Sequence, residues 1–392
     1  MNRKILLSQL ALTLCCACAD PSTPEPIQEG SLPPFDAALC AEPQVPGVVP
    51  EVKVTGPVNN TITMVSGAAL IVHSGDNTVG RFDLAAGDYD ADFVDVGDGR
   101  NPWALAESGG RVFVTNFVAD SISVADGVSG ALLGELEGVG LEAPTGIAAG
   151  AGVLVAVSSN FVGPGYGEGT IHALRATDVA PFLEPIGTIK ASALAPIEVV
   201  FDAARGRFYV VNSGERRVDP QTGAFVPVSD GAVDIIDLAA LDDGLQDEDL
   251  VSIPLPISPA EPLVGAPSAV VLAPDGRTAY LPSSTSPALF KIDLERLEVL
   301  RGADDPIRAY LGEGSQLTNM VFGPDGLAYV TAFNQDALYL FDSGCDASIF
   351  GPVEIGTSPL LEGPLDVAYD AAGRRALVLM SVSNALTVVT DP

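Results

Sequence analysis

Six stretches of the chain repeat one pattern of apolar and polar positions. It is clearest at Arg111-Val-Phe-Val-Thr-Asn116, a short polar turn, and a second alternating run, Ser121-Ile-Ser-Val-Ala-Asp126. Related copies are Ala69–Ser74, Phe208–Ser213, Ala279–Ser284, Ala328–Phe333 and Ala376–Ser381, and several second runs close on an aspartate, at Asp237, Asp293 and Asp342. Period-two alternation bounded by turn residues predicts strands. Strand-only repeats spaced at about 40–50 residues predict the blades of an all-β propeller.

The pattern divides the chain into blades. Blade one has strands at 61–65, 69–74, 78–84 and 92–96. Blade two spans 99–139, blade three 141–190, blade four 194–256, blade five 264–313 and blade six 315–357. The last repeat supplies three strands, at 365–368, 375–380 and 385–390, and lacks a fourth. Residues 51–55 alternate as a strand ahead of blade one, so the expectation is a seven-bladed propeller whose last blade is closed by this N-terminal strand, which also removes an exposed edge. Turns fit: Pro274-Asp-Gly276, Pro324-Asp-Gly326, Gly109-Gly110 and Ala371-Ala-Gly373 fall between first and second strands, where Gly and Asp accept positive φ. Blade four departs from the repeat, with a polar insertion carrying Arg216, Arg217 and Asp219 and an acidic run from Leu241 to Asp249 without EF-hand spacing. That run reads as solvated surface.

Residues 1–19 form a different unit: Arg3 and Lys4 precede a short apolar run, the form of an export signal too short to span a bilayer. Cys15, Cys16 and Cys18 crowd its end, and the segment resembles a bacterial lipoprotein signal with Cys18, preceded by Ala17, as the lipidated residue. Cleavage after Ala19, giving a freely secreted protein, is the alternative. Residues 20–50 are rich in Pro, Ser, Glu and Gln and read as a tether to a propeller domain at 51–392. Cys40 and Cys345, the two cysteines beyond the signal, are expected to bridge in an oxidising compartment. The protein is therefore expected outside the cytoplasm, at the cell envelope or secreted, and as a monomer.

The formal charge of −32 disfavours nucleic acid and anionic lipid headgroups as partners, leaving the lipid anchor as the membrane contact. No P-loop, dinucleotide fingerprint or haem-attachment motif occurs, and two histidines, His73 and His172, are too few for a His-rich zinc site.

Val112-Phe-Val-Thr-Asn116 with Ser121-Ile-Ser-Val124, and Ala266-Pro-Ser-Ala-Val-Val-Leu-Ala-Pro-Asp-Gly276, resemble the YVTN-type propeller repeats of secreted bacterial and archaeal surface proteins. The resemblance covers residues 51–392 and implies a fold more than an activity, since such propellers include surface-layer proteins, binding proteins and lactonases.

In a propeller the innermost strands line a central channel whose rim is the usual ligand site. The aligned rim positions are Ala104, Gly146, Glu198, Ala269, Asn319 and Asp366. Glu198, Asn319 and Asp366 supply oxygen atoms of the kind calcium takes. The set resembles the metal ligands of propeller lactonases, which implies, as the alternative function, a calcium-dependent hydrolase. A second ring, at the ends of the next strands, includes His73, Asn116, Asn212, Ser283, Ala332 and Met380. Trp103 beside the mouth is placed to stack on a sugar or peptide. The leading expectation is a noncatalytic module without a cofactor that binds a protein, peptide or glycan at the cell surface through Trp103, Asn116, Glu198, Asn212, Asn319 and Asp366.

Overall fold

The computed structural model describes residues 51–390, apart from 163–164, 222, 224, 309–315, 345–348 and 354–361. The expected lipidation at Cys18 and bridge between Cys40 and Cys345 lie outside the described residues.

Seven antiparallel sheets form a seven-bladed propeller. From the channel outwards, blade two runs Pro102–Ser108, Arg111–Asn116, Ser121–Asp126 and Leu132–Glu137, and blades one, three, four and six follow the same simple meander. Blade seven orders Pro364–Asp370, Arg375–Met380 and Ala385–Thr390 from the inside, and Glu51–Val54 pairs as its outermost strand, with Glu51 opposite Val388 and Val54 opposite Ala385. The ring thus closes with both ends of the propeller domain in one blade, as the three-strand last repeat predicts.

The apolar pattern has a direct cause. A second strand is covered on both faces, by the preceding blade and by the following one, so it reads as a nearly continuous apolar run rather than a clean alternation. Every residue of Ala68–His73 is buried, and outermost strands such as Tyr89–Asp95 alternate with solvent. Each of the seven blade interfaces, including that between blades seven and one, has its own cluster of buried side chains. Between blades five and six, for example, the Tyr280 ring meets Phe341 edge-on at 4.9 Å.

The aspartates that end third strands are turn formers. Asp83 Oδ1 accepts from the N–H groups of Ala85 and Ala86, Asp126 Oδ1 from Val128 and Ser129, and Asp293 Oδ1 from Glu295 and Arg296. These N–H groups hold the Asp83 and Asp126 carboxyls below the usual carboxylate range. Part of the chain's acidity is therefore turn chemistry repeated along the ring.

Four local details go beyond the sequence expectation. The innermost strand of blade five shrinks to Val271–Leu272. The blade-four insertion folds as a hairpin of Arg216–Val218 with Phe225–Pro227, and blade three carries a second small hairpin, Phe161–Val162 with Gly165–Tyr166. The acidic run from Leu241 to Asp249 overlaps two short 3₁₀ turns, Leu238–Asp242 and Asp247–Asp249. Among the described residues no helix is long and apolar enough to cross a membrane.

Candidate functional site

The geometry of the channel mouth begins with a register defect. Pro196 opens the inner strand of blade four opposite Asn212, and Glu198 already faces Val211, so the pairing skips at Ile197. The same skip follows Pro364 in blade seven, putting Asp366 opposite Leu379, and it recurs in blades one, two, three and six. A bulge re-aims the side chains beside it. Here it turns them toward the neighbouring blade.

Side chains around the starts of the inner strands, and Thr115 on the second strand of blade two, form a ring of clasps, one at each interface. Thr61 Oγ1 of blade one donates to the Trp103 carbonyl of blade two at 3.0 Å, and Thr115 Oγ1 of blade two to the Thr145 carbonyl at 3.3 Å. Thr145 Oγ1 donates to the Pro196 carbonyl of blade four at 2.9 Å, Ser268 Oγ to Leu317 of blade six at 3.0 Å, and Thr318 Oγ1 to Pro364 of blade seven at 3.2 Å. At the place of Thr145, Ser268 and Thr318, the residue after the one that opens the inner strand, blades four and seven carry Ile197 and Leu365. The next residue takes over. Glu198 Oε2 accepts from Val270 N–H of blade five at 2.8 Å, and Asp366 Oδ2 from Ile62 N–H of blade one at 2.9 Å. Gly146 makes room for this arrangement, because a Cβ there would sit 2.7 Å from Glu198 Cα.

Glu198, Asn319 and Asp366 therefore do converge on one mouth. Asn319 Nδ2 donates to Asp366 Oδ1 at 2.5 Å, and that same oxygen accepts from Val367 N–H at 2.8 Å. Asn319 Oδ1 accepts from Met320 N–H at 2.7 Å. Burial pushes the Glu198 carboxyl up to about 8; the Val270 N–H opposes this and the nearby Asp366 charge adds to it. Burial likewise raises Asp366 to about 6, against the pull of the Ile62 and Val367 N–H groups and the Asn319 amide.

A raised carboxyl favours the folded state while it is protonated. This stability is complete below the ordinary pKa of 4.5 and is lost as pH rises through about 8. Between pH 6 and pH 9 the wild type is expected to lose about 1–3 kcal/mol through Glu198, reduced from the full linkage value because the side chain borders a wet channel. Glu198→Gln should flatten the profile, as read by urea unfolding at the two pH values; a profile unchanged by the substitution contradicts the assignment.

The mouth opens into a cavity of about 760 Å³ lined by Trp103, Glu198, Asn319 and Asp366. Trp103 is half-buried, with its ring 5.0 Å from Phe117. Phe117 lies 6.4 Å from Phe161, and Phe161 meets Tyr166 at 5.2 Å. This aromatic row is built by the blade-three hairpin, and the blade-four hairpin adds Glu215, Arg216 and Phe225 to the lining, with the Arg216 guanidinium over the Phe225 ring at 5.3 Å.

Two expected ligand residues are placed elsewhere, a correction with a simple reason. Asn116 and Asn212 end second strands, which are covered on both sides, so both side chains are fully buried within their blades. Asn116 Nδ2 donates to Ser121 and Ser123 Oγ, and Asn212 Nδ2 to Asp234 Oδ2 at 2.8 Å. Neither lines the cavity. The histidines are likewise internal, with burial lowering both to about 4. Ser158 Oγ lies 3.1 Å from His172 Nε2, a nucleophile-to-base distance, yet both are buried and the other ring nitrogen faces Thr188 Oγ1 rather than a carboxylate. Among the described residues no three His, Cys, Asp or Glu side chains gather as a metal site.

The same architecture occurs in solved structures. Hydrazine synthase of Kuenenia stuttgartiensis matches with TM-score 0.62 and 16% identity over 85% of this chain and 96% of that one. A streptogramin B lyase matches with TM-score 0.63 and 13% identity, over 88% and 98%. Virginiamycin B lyase from Staphylococcus aureus, solved with quinupristin, matches with TM-score 0.62 and 14% identity, over 87% and 99%. The shared property is the propeller. At these identities the likeness concerns the fold alone, and no protein-family model and no curated protein matches the chain.

Proposed function

We propose that the protein is an exported, lipid-anchored propeller that binds a protein, peptide or glycan at the cell envelope, in the mouth of its central channel, without transforming it. The observation that carries this reading is the mouth itself. An aromatic row borders a cavity of a size suited to a ligand, and the carboxylates that would do chemistry are engaged in holding neighbouring blades together. Export and anchoring rest on the Arg3-Lys4 start and the cysteines ending the apolar run. Palmitate labelling that survives Cys18→Ser would contradict the choice of Cys18.

The calcium-dependent hydrolase is less well supported by the donor set. Calcium takes about six to eight oxygen ligands. Here Asp366 Oδ1 accepts from two N–H groups and Asp366 Oδ2, Asn319 Oδ1 and Glu198 Oε2 from one each, so among the described residues Glu198 Oε1 is the one oxygen of the trio that accepts none. The arrangement fits a clasp better than an ion cage.

Binding at the mouth is tested by melting the full chain against libraries of peptides and oligosaccharides. A true ligand at about 100 times its Kd should add roughly 2.7 kcal/mol to stability, and Tyr166→Ala, which shortens the aromatic row, should weaken that response. A ligand whose effect is untouched by changes at Trp103, Phe161 and Tyr166 places binding elsewhere.

A further inference from the structure

Three polar groups on the cavity wall have atoms with no hydrogen-bond partner among the described residues: Glu198 Oε1, the Gln316 side-chain amide and the Glu215 carboxylate. None of these atoms is fully sealed from solvent, and all three residues line the cavity. Gln316 is the most telling. It is 8% exposed, yet among the described residues its amide has no hydrogen-bond partner. A long polar side chain held with its donors and acceptors unspent, in a cavity wall, is prepared for a partner from outside.

The same cavity is lined by the aromatic row of Trp103, Phe117, Phe161 and Tyr166. Flat apolar faces next to a mixed set of donors and acceptors match a molecule with an apolar ring face and hydroxyls that both donate and accept. Other chemistries fit less well. A polyanion would meet Glu215, Asp366 and a formal charge of −32, and Arg216 already donates to Ser284 Oγ at 2.7 Å. An extended peptide pairing with an inner strand would need edge N–H groups such as Val270 and Ile62, which Glu198 and Asp366 occupy.

We propose that the mouth takes a neutral oligosaccharide that spans the cavity, with one sugar ring lying against Trp103, Phe161 and Tyr166 and hydroxyls along the chain hydrogen-bonded by Glu198, Gln316 and Glu215. This rests on the binding reading above and names its ligand class. At neutral pH the Glu198 carboxyl is protonated, since burial lifts it to about 8, and Oε1 can donate as well as accept. A glutamine there reproduces that donor.

The test uses the full chain and its single tryptophan, Trp103, as the reporter. The probes are cellohexaose, maltohexaose, xylohexaose and chitohexaose, titrated at pH 7 against tryptophan emission. At least one should give a saturable change. Gln316→Ala should weaken it by about tenfold, the loss of one hydrogen bond. Melting curves confirm that each variant is folded, and Phe161→Ala gives a second, hairpin-based variant that should also weaken binding. No change in emission or melting from any of the four sugars at about 10 mM overturns the proposal. If a peptide library then shifts the melting temperature through the same aromatic residues, the binding module stands and the saccharide does not. Silence from both removes both.

Discussion

Deleting residues 1–56 is expected to abolish cooperative folding or to drive the protein into aggregates, whereas deleting residues 1–34 is expected to leave stability unchanged. The first deletion removes Glu51–Val54 from the outer edge of blade seven and leaves Ala385–Thr390 exposed as an unpaired edge. It also removes the Thr55 N–H bond to the Asn384 carbonyl at 2.9 Å and the Thr55 hydroxyl beside Asn59 Nδ2 at 2.5 Å. At about 1 kcal/mol per hydrogen bond the loss is roughly 4–6 kcal/mol, a large share of the 5–15 kcal/mol that holds a typical domain. Urea unfolding of the two truncations gives the answer, and equal midpoints contradict the closure.

Asp366→Ala is expected to cost about 3–5 kcal/mol, because it breaks a buried clasp and leaves its partners without an acceptor. Asp366 is 6% exposed and receives the Ile62 and Val367 N–H groups and the Asn319 amide, so its removal loosens blade seven from blade one. Asp366→Asn retains one carbonyl oxygen and should fall between the two. Denaturant unfolding measures both; a loss below about 1 kcal/mol for the alanine variant would place Asp366 outside the ring of clasps.

Which parts of this were legible in the sequence follows from what each position does. Blade count and closure were readable because a three-strand last repeat and a spare strand at residues 51–55 leave one arithmetical solution. Convergence of Glu198, Asn319 and Asp366 was readable because the opening Pro196 and Pro364, and Leu317 at the equivalent place, fix the register of each inner strand. Their role was not, since it depends on Ile197 and Leu365 standing where blades three, five and six carry Thr145, Ser268 and Thr318, a comparison that matters only once the interblade hydrogen bonds are known. Asn116 and Asn212 were misplaced because rim position was inferred from strand ends, and the end of a doubly covered strand is still interior. Phe161 and Tyr166 sit on strands of two residues within the glycine-rich stretch Asn160–Gly169, too short to show any period. The extra length of that insertion was the available signal.

The central claim is that the mouth carboxylates clasp neighbouring blades and do not cage an ion. Melting the wild type and Glu198→Gln at pH 7, in EDTA and in millimolar calcium, tests it most directly. The account predicts the same melting temperature for the wild type in both solutions and no dependence on Glu198; a calcium-induced rise in the wild type that Glu198→Gln removes would contradict it.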